Sequence, residues 1–404
     1  MTEIVNSNNN YNNFVNLYVV IETIENKIVP VSLEMLGEAR RLMDDFNLKY
    51  NSNEKVIAIV LGHNIKELSK ELIFYGADAV IFADNPNLKY PINQIYTKLI
   101  SKIVTDKQCV HKISPDLSNN FKKPRYLFFP ADNTGRHLSA TVLAELDSGL
   151  ASDINKLVIS DLDIRHQHKT NGQVIKYEKT LEMYRPDFSG FLWTTILCLD
   201  NKNPSIKKEY HPQSCSIIPG AFKPIEKDEK REGIVIEYVP EIDKEDLKIK
   251  ILNRETIKNE IDYEQHKIVI SFGRGIKNNP DQNIKLVEEL ASVLNAGIGI
   301  SLPISKKIYQ VNEILQSKFI IPERVIGTSG QKISPAIYIA VGISGAIQHL
   351  DGMKESDLII AINPDENSPI CEQCDIFIKG HMEDILPKLI EIIKNHSKML
   401  EIQV

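Results

Sequence analysis

No stretch of this chain approaches the roughly 20 consecutive apolar residues that cross a bilayer, so no direct membrane insertion is expected. Basic residues do not predominate either. The 48 Lys and Arg stand against 54 Asp and Glu, a net charge of −6, which leaves no counterion-releasing excess for nucleic acid. Cysteine is sparse: five in 404 residues argue against a disulfide scaffold. Cys371 and Cys374 form a Cys-x-x-Cys pair, but no second Cys or His pair lies at metal-site spacing. Beside an apolar run such thiols behave as small hydrophobes; a thiol redox enzyme is the competing reading of the pair. A four-cysteine iron–sulfur module is also missing. The amino terminus is polar and rich in Asn (Asn6, Asn8, Asn9, Asn10, Asn12, Asn13), with neither an apolar signal core nor an arginine-rich transit pattern. Residues 1–13 are expected to be disordered and the protein cytoplasmic.

What is present is ordinary for a globular chain, 42% hydrophobic and 25% charged, and its length favours two domains. Short apolar runs alternate with helical patterns. In the first half, strands are predicted at 17–21, 56–61, 79–83 and 126–130. Helices are predicted from Ser32, a plausible N-cap, and over 65–75 and 96–104. Strands alternating with helices imply mostly parallel sheets covered on both faces, an α/β fold of nucleotide-binding type. The irregular stretch 114–123 reads as an inserted loop. Three prolines and a charge run over 212–231 read as the link between an N-terminal domain, 14–231, and a C-terminal domain, 232–404. The second domain repeats the alternation: strands at 268–272, 297–301, 337–341, 358–362 and 376–378, helices at 283–294, 346–350 and 385–395.

In that second half, the suspicious polar residues follow predicted strands. Gly273-Arg274-Gly275 comes after 268–272, Ser301 ends 297–301, Gly342-Ile343-Ser344-Gly345 comes after 337–341, and Asn363 follows 358–362. Ligands bind at that edge of an open parallel sheet. Small residues at Ser344 and Gly345 let backbone approach a phosphate, and the helix start beyond them offers unpaired N–H groups. Arg274, set between glycines, suits a phosphate contact, or is a surface arginine in a turn. Gly327-Thr328-Ser329-Gly330 reads by itself as a β-turn.

The run from Ser334 to Asn363 resembles the flavin-binding segment of electron-transfer flavoprotein alpha subunits, nearly unbroken from Tyr338 to His349 and again over Ala361-Ile362-Asn363. In the first half, Val31 to Ala39, Leu61-Gly62-His63-Asn64, Tyr75-Gly76-Ala77-Asp78, Thr134-Gly135-Arg136, Ser148-Gly149-Leu150 with Asp153, and Tyr184-Arg185-Pro186 with Gly190 are similar to family counterparts. The resemblance implies an FAD held by a doubly wound C-terminal domain. It implies Gly273, Arg274 and Gly275 as FAD contacts, and Ser344, Gly345 and Ala346, after Gly342, at the pyrophosphate. The Thr328-Ser329-Gly330 turn would place the Ser329 hydroxyl at the flavin N5 edge. Gln348 would face the ribityl chain and His349 the C2 carbonyl, where negative charge gathers on reduction. Asn363 and Asp375 would lie at the adenosine-diphosphate end.

The same resemblance implies an electron carrier, with no catalytic acid, base or nucleophile of its own. The implied partners are a beta subunit packed on the N-terminal domain and a dehydrogenase for acyl-CoA, lactate or a similar substrate. In relatives that bifurcate electrons, ferredoxin is a further partner. One position departs from the family. After Ser301 stands Leu302, where relatives carry an arginine that favours the reduced flavin; Lys306, Lys307 or Arg324 in the long loop that follows could replace that charge. A nucleotide-binding regulatory or structural subunit with a degenerate flavin site is the alternative.

Overall fold

β1 (Phe14–Ile21) is buried along its whole length, as a strand covered on both faces must be. The computed structural model that shows this describes residues 13–401 except 118–119, 188–191, 207, 250, 253 and 255–260. Except for Asn13, the expected disordered tail lies outside the described residues, as does Gly190. A small hairpin, β2 (Thr23–Ile24) and β3 (Lys27–Ile28), precedes β4 (Val56–Gly62), β5 (Ala79–Asp84), β6 (Lys123–Pro130) and β7 (Leu150–Ile154). β8 (Lys156–Arg165), β9 (Val174–Asp187) and β10 (Leu192–Leu197) form a separate antiparallel sheet. β11 (Gln213–Ile217) and β12 (Ile234–Glu237) then rejoin the first sheet, whose order is β12-β5-β4-β1-β6-β11-β7. Every neighbouring pair in it is parallel.

Alternate residues of β1 feed two cores. Leu17 and Val19 pack with Met35, Leu36 and Phe46 of the helix Pro30–Tyr50. Tyr18 and Val20 pack on the other face, with Leu99 of the helix Asn93–Ile103 and Leu138 of the helix Asn133–Glu145. The second unit is built the same way from β13 (Ile268–Phe272), β14 (Gly297–Ser301), β15 (Val325–Ile326), β16 (Ile337–Val341), β17 (Leu358–Asn363) and β18 (Ile376–Lys379). Their order is β15-β14-β13-β16-β17-β18, again all parallel. Because every strand points the same way, the carboxyl ends of β13, β14, β16 and β17 share one edge.

Four expectations are corrected. Ser32 does not cap its helix: Pro30, with its preset φ, starts the helix earlier. Buried in the first turn, the Ser32 hydroxyl accepts the Glu22 N–H at 3.0 Å. The proline-rich link is not a link throughout, since β11 pairs with both β6 and β7. The division between units falls after Arg254 rather than at 231, because β12 adds to the first sheet through β5. The helix expected at 346–350 is a single turn, Ile347–Leu350, too short to present a helix-end anion site. No helix among the described residues is long and apolar enough to cross a membrane.

Candidate functional site

Two chain reversals meet at the carboxyl edge of the second sheet. After β13, Gly273 and Gly275 donate their N–H groups to the Val341 and Gly342 carbonyls at 3.0 and 2.9 Å. After β16, Gly342 turns with φ +60° and Gly345 with φ +80°, a region that side chains rarely adopt. The packing demands glycine as well. A Cβ on Gly275 would sit 2.5 Å from Gly342 Cα, and one on Gly342 would sit 2.7 Å from Gly275 Cα. Asn363, buried at the end of β17, fastens the second reversal: its side chain donates to the Ile343 carbonyl at 2.8 Å and accepts from Asp365 N–H at 2.9 Å.

These reversals wall a cavity of about 450 Å³, ordinary for a small-molecule site. Of the expected residues, Arg274, Gly275, Ser301, Gly342, Ser344, Ala346, His349 and Asn363 line it. Arg274 and Lys277 bring positive charge, and neither enters an ion pair among the described residues. Lys277, Tyr309, Asp365, Ser368 and His381 also line the cavity without having been anticipated. Asp365 could have been suspected from the polar turn after Asn363. Tyr309 and His381 could not, because they reach the edge from remote segments with no pattern of their own.

Other expected residues fall outside this cavity. Gly273 supports it from behind, and Gly345 packs on Ile370. Thr328, Ser329 and Gly330 form the β-turn that their composition suggested, closed by Gly330 N–H to the Gly327 carbonyl at 2.9 Å. Thr328 ties that turn to the His349 segment by donating its N–H to the Gln348 carbonyl at 2.7 Å. Leu302 opens the short helix Leu302–Ser305 and is 38% exposed. Asp375 is at the wrong edge: its carboxylate accepts Ile359 N–H at 2.8 Å, near the amino end of β17, opposite Asn363. It serves the sheet, because strand starts carry N–H groups that need an acceptor.

The charge missing at Leu302 is not restored from the loop that follows. Arg324 donates to the Lys318 and Ile298 carbonyls, both at 2.8 Å, and its guanidinium lies over Phe319. Lys306 and Lys307 do not line the cavity. The five cysteines are free thiols, and Cys374 donates its S–H to the Cys371 carbonyl at 3.6 Å.

His349 is buried, and its Nε2 lies 2.8 Å from the hydroxyl of the fully buried Tyr338. Burial lowers its pKa to about 4, a shift that the Ile326 carbonyl opposes. The ring is therefore neutral near pH 7. Since the unfolded ring titrates near 6.5, the unfolded chain binds the extra proton between about pH 6.5 and 4, and stability contributed by this group falls as pH drops through that window. Nδ1 is buried without a geometrically sound hydrogen bond. We assign the proton to Nδ1, with the Tyr338 O–H donating to Nε2 and the Ser271 hydroxyl beside the Tyr338 oxygen. Tyr338→Phe should therefore turn a single Nδ1–H tautomer into a mixture, read from imidazole nitrogen shifts in NMR. An unchanged tautomer in the variant would remove Tyr338 from this role.

The cavity suits a group carrying a diphosphate. Two cations without carboxylate partners, a turn where no Cβ is tolerated, and a buried orphaned imidazole nitrogen beside it all need an anionic or acceptor-bearing partner. At the carboxyl edge of a doubly wound parallel sheet, these features define a dinucleotide-binding protein. The comparisons with known proteins narrow the class. Residues 262–354 match the electron transfer flavoprotein FAD-binding domain, and residues 17–183 the electron transfer flavoprotein domain. The electron transfer flavoprotein subunit alpha of Thermoanaerobacterium thermosaccharolyticum is 32% identical over 95% of this chain and 99% of its own length. Protein FixB of Clostridium saccharobutylicum is 34% identical over 93% and 95%. The acryloyl-CoA reductase electron transfer subunit beta of Anaerotignum propionicum is 31% identical over 95% and 96%. The chain belongs to the electron-transfer flavoprotein alpha-subunit family, with FAD as its cofactor and electron transfer as its function.

Proposed function

We propose that the chain is the alpha subunit of a heterodimer whose beta subunit is a separate polypeptide, passing electrons between a dehydrogenase of the acyl-CoA class and an acceptor. The observation that carries this reading is the convergence of Arg274, Lys277, Ser344 and His349 on one cavity at the sheet's carboxyl edge. The name of the Anaerotignum propionicum relative, an electron transfer subunit of an acryloyl-CoA reductase, favours the acyl-CoA partner.

Bound FAD supplies the redox chemistry. The chain's residues bind and orient it. Arg274 and Lys277 would balance the diphosphate charge, and Ser344, Gly345 and Ala346 would offer it a hydroxyl and backbone N–H groups. Asn363 holds that turn in place. His349, kept neutral by burial and oriented by Tyr338, would act at the ring end with Ser301. Ser329, flanked by Thr328 and Gly330, lies outside the cavity and would offer the cofactor a hydroxyl able to donate or accept, and Gln348 would attend the ribityl chain.

The test is an absorption spectrum of the purified alpha–beta heterodimer, followed by mixing with an acyl-CoA dehydrogenase reduced by its substrate. Flavin bands that bleach on mixing are the expected result. A fully assembled but colourless heterodimer would overturn the proposal in favour of a regulatory or structural nucleotide-binding subunit.

A further inference from the structure

A cavity of about 590 Å³ lies wholly in the first unit, and nothing so far assigns it a role. It opens past the carboxyl ends of β1, β4 and β6 and takes in Glu22, Gly62, His63 and Pro130. From β1 the chain builds outward through β4 and β5 on one side and later lays β6 on the other. The crevice therefore falls at the topological switch point of the sheet, where open α/β folds take their ligands. The segments Leu61-Gly62-His63-Asn64 and Thr134-Gly135, which electron transfer on FAD leaves without a part, border it.

Two buried polar atoms on residues lining this cavity have no hydrogen-bond partner, Glu22 Oε2 and His63 Nδ1. His63 Nδ1 stays 3.6 Å from Asp84 Oδ1, beyond hydrogen-bond reach. Orphaned buried groups are rare in native proteins and call for a partner. Glu22 is fixed at both backbone ends, its N–H donating to Ser32 Oγ at 3.0 Å and its carbonyl accepting from Val29 N–H at 3.1 Å.

A phosphate is a poor candidate. Both nearby helix starts are already occupied by carboxylates: Asp132 accepts Gly135 N–H at 2.7 Å, and Asp84 accepts the N–H groups of Asn64 and Ile65 at 2.9 Å. The lining carries equal numbers of acids, Glu22 and Glu25, and cations, Lys89 and Arg254, so a phosphate would find neither a free helix start nor a cationic cluster. Burial, and next to it a side-chain hydrogen-bonding contact with Asp132, raise the Glu22 pKa to about 8, while a hydrogen bond with Thr134 and the charge of Arg254 pull the other way; Oε2 is the oxygen left without a partner. Near pH 7 Glu22 is then mostly a neutral carboxylic acid, with one donor and one acceptor side by side. The remaining surface is apolar and aromatic, from Ile59, Leu61, Leu138 and Tyr96.

We propose that this cavity binds an uncharged amino-heterocycle of the nucleobase or nucleoside type, its ring nitrogen and exocyclic amino group paired with the Glu22 carboxyl and its plane held between the apolar walls. An acid that donates to a ring nitrogen and accepts from an adjacent N–H matches that edge in the way an amide side chain matches adenine. The site is separate from the FAD cavity and does not depend on the electron-transfer reading.

The test uses the FAD-loaded full-length chain, so that the flavin site cannot capture the probe, with adenosine and AMP compared by calorimetry. Adenosine is expected to bind at one site per chain, and AMP at least tenfold more weakly, because the helix starts that would take its phosphate are already capped by Asp84 and Asp132. Glu22→Leu should weaken adenosine roughly tenfold or more. Glu22→Gln, which keeps a donor beside an acceptor, should bind within about threefold of the unaltered chain. Flavin content, read from absorbance, should stay constant in all of them, which separates failure here from failure of the FAD assignment. No binding of adenosine, tighter binding of AMP, or equal affinity in Glu22→Leu would each overturn the proposal. The adenosine–AMP comparison in the unaltered chain decides it even if a variant does not fold.

Discussion

Gly345→Ala is expected to strip the chain of FAD while leaving it folded. The residue sits at φ +80°, where a side chain costs on the order of 1–2 kcal/mol in the backbone alone. Space is the larger obstacle. An added Cβ would collide with the backbone nitrogen of Ile370 and lie 2.7 Å from its Cα, and neither atom can rotate away. The turn must therefore move, and with it Ser344 and Ala346 on the cavity wall. Loss of aligned contacts to a charged diphosphate, worth about 1.5–3 kcal/mol each, predicts at least a hundredfold weaker retention of FAD. Gly220→Ala is the control. That residue has the same φ of +80° but nothing within 4 Å of its would-be Cβ, so it should carry backbone strain only. Flavin-to-protein ratios and thermal unfolding of both variants check the point. Full FAD occupancy in Gly345→Ala would show that this turn does not hold the cofactor.

Leu302→Arg should raise the reduction potential of the bound FAD. The family resemblance implies an arginine at this position, next to Ser301 on the cavity wall. Here Arg324 is committed to the Lys318 and Ile298 carbonyls, and the cations lining the cavity are Arg274 and Lys277, which follow the carboxyl end of the adjacent strand β13. A guanidinium about 10 Å from the ring would contribute roughly 1–2 kcal/mol toward the negatively charged reduced cofactor at an effective dielectric near 20. Scaled from two-electron redox couples, that is about 40–90 mV for one electron. Spectroelectrochemical titration of the two proteins side by side measures the difference. Equal potentials would mean that this position does not face the ring, and that another group sets the potential.

Much of the FAD site was legible along the chain because a doubly wound sheet puts its ligand at the carboxyl ends of its strands. Each strand end is marked locally, by Gly273-Arg274-Gly275, Ser301, Gly342 to Gly345, or Asn363. Local signals misled where another level of structure took over. Asp375, which the family resemblance placed at the adenosine-diphosphate end, precedes the run Ile376–Ile378 and caps the start of β17. The prolines near residue 212 read as a link, yet Gln213–Ile217 is a strand between two others. Its neighbours, β6 and β7, are separated from it by scores of residues, and no local pattern carries that pairing. The antiparallel sheet of β8, β9 and β10 went unseen for a similar reason: its half-exposed strands lack the solid apolar runs by which buried strands announce themselves.

The chain's own order of residues therefore determines the fold class, the family and the turn that receives the diphosphate, because those depend on short-range patterns of apolar runs, glycines and small polar residues. Tertiary structure alone decides which of the marked residues meet. It brings Tyr309 and His381 to the cavity, removes Asp375 from it, and engages Arg324 elsewhere. It also sets Tyr338 against His349 and leaves Glu22 in an unassigned crevice. Those outcomes depend on which strands become neighbours and on how much water each side chain loses, quantities that arise only when distant segments pack.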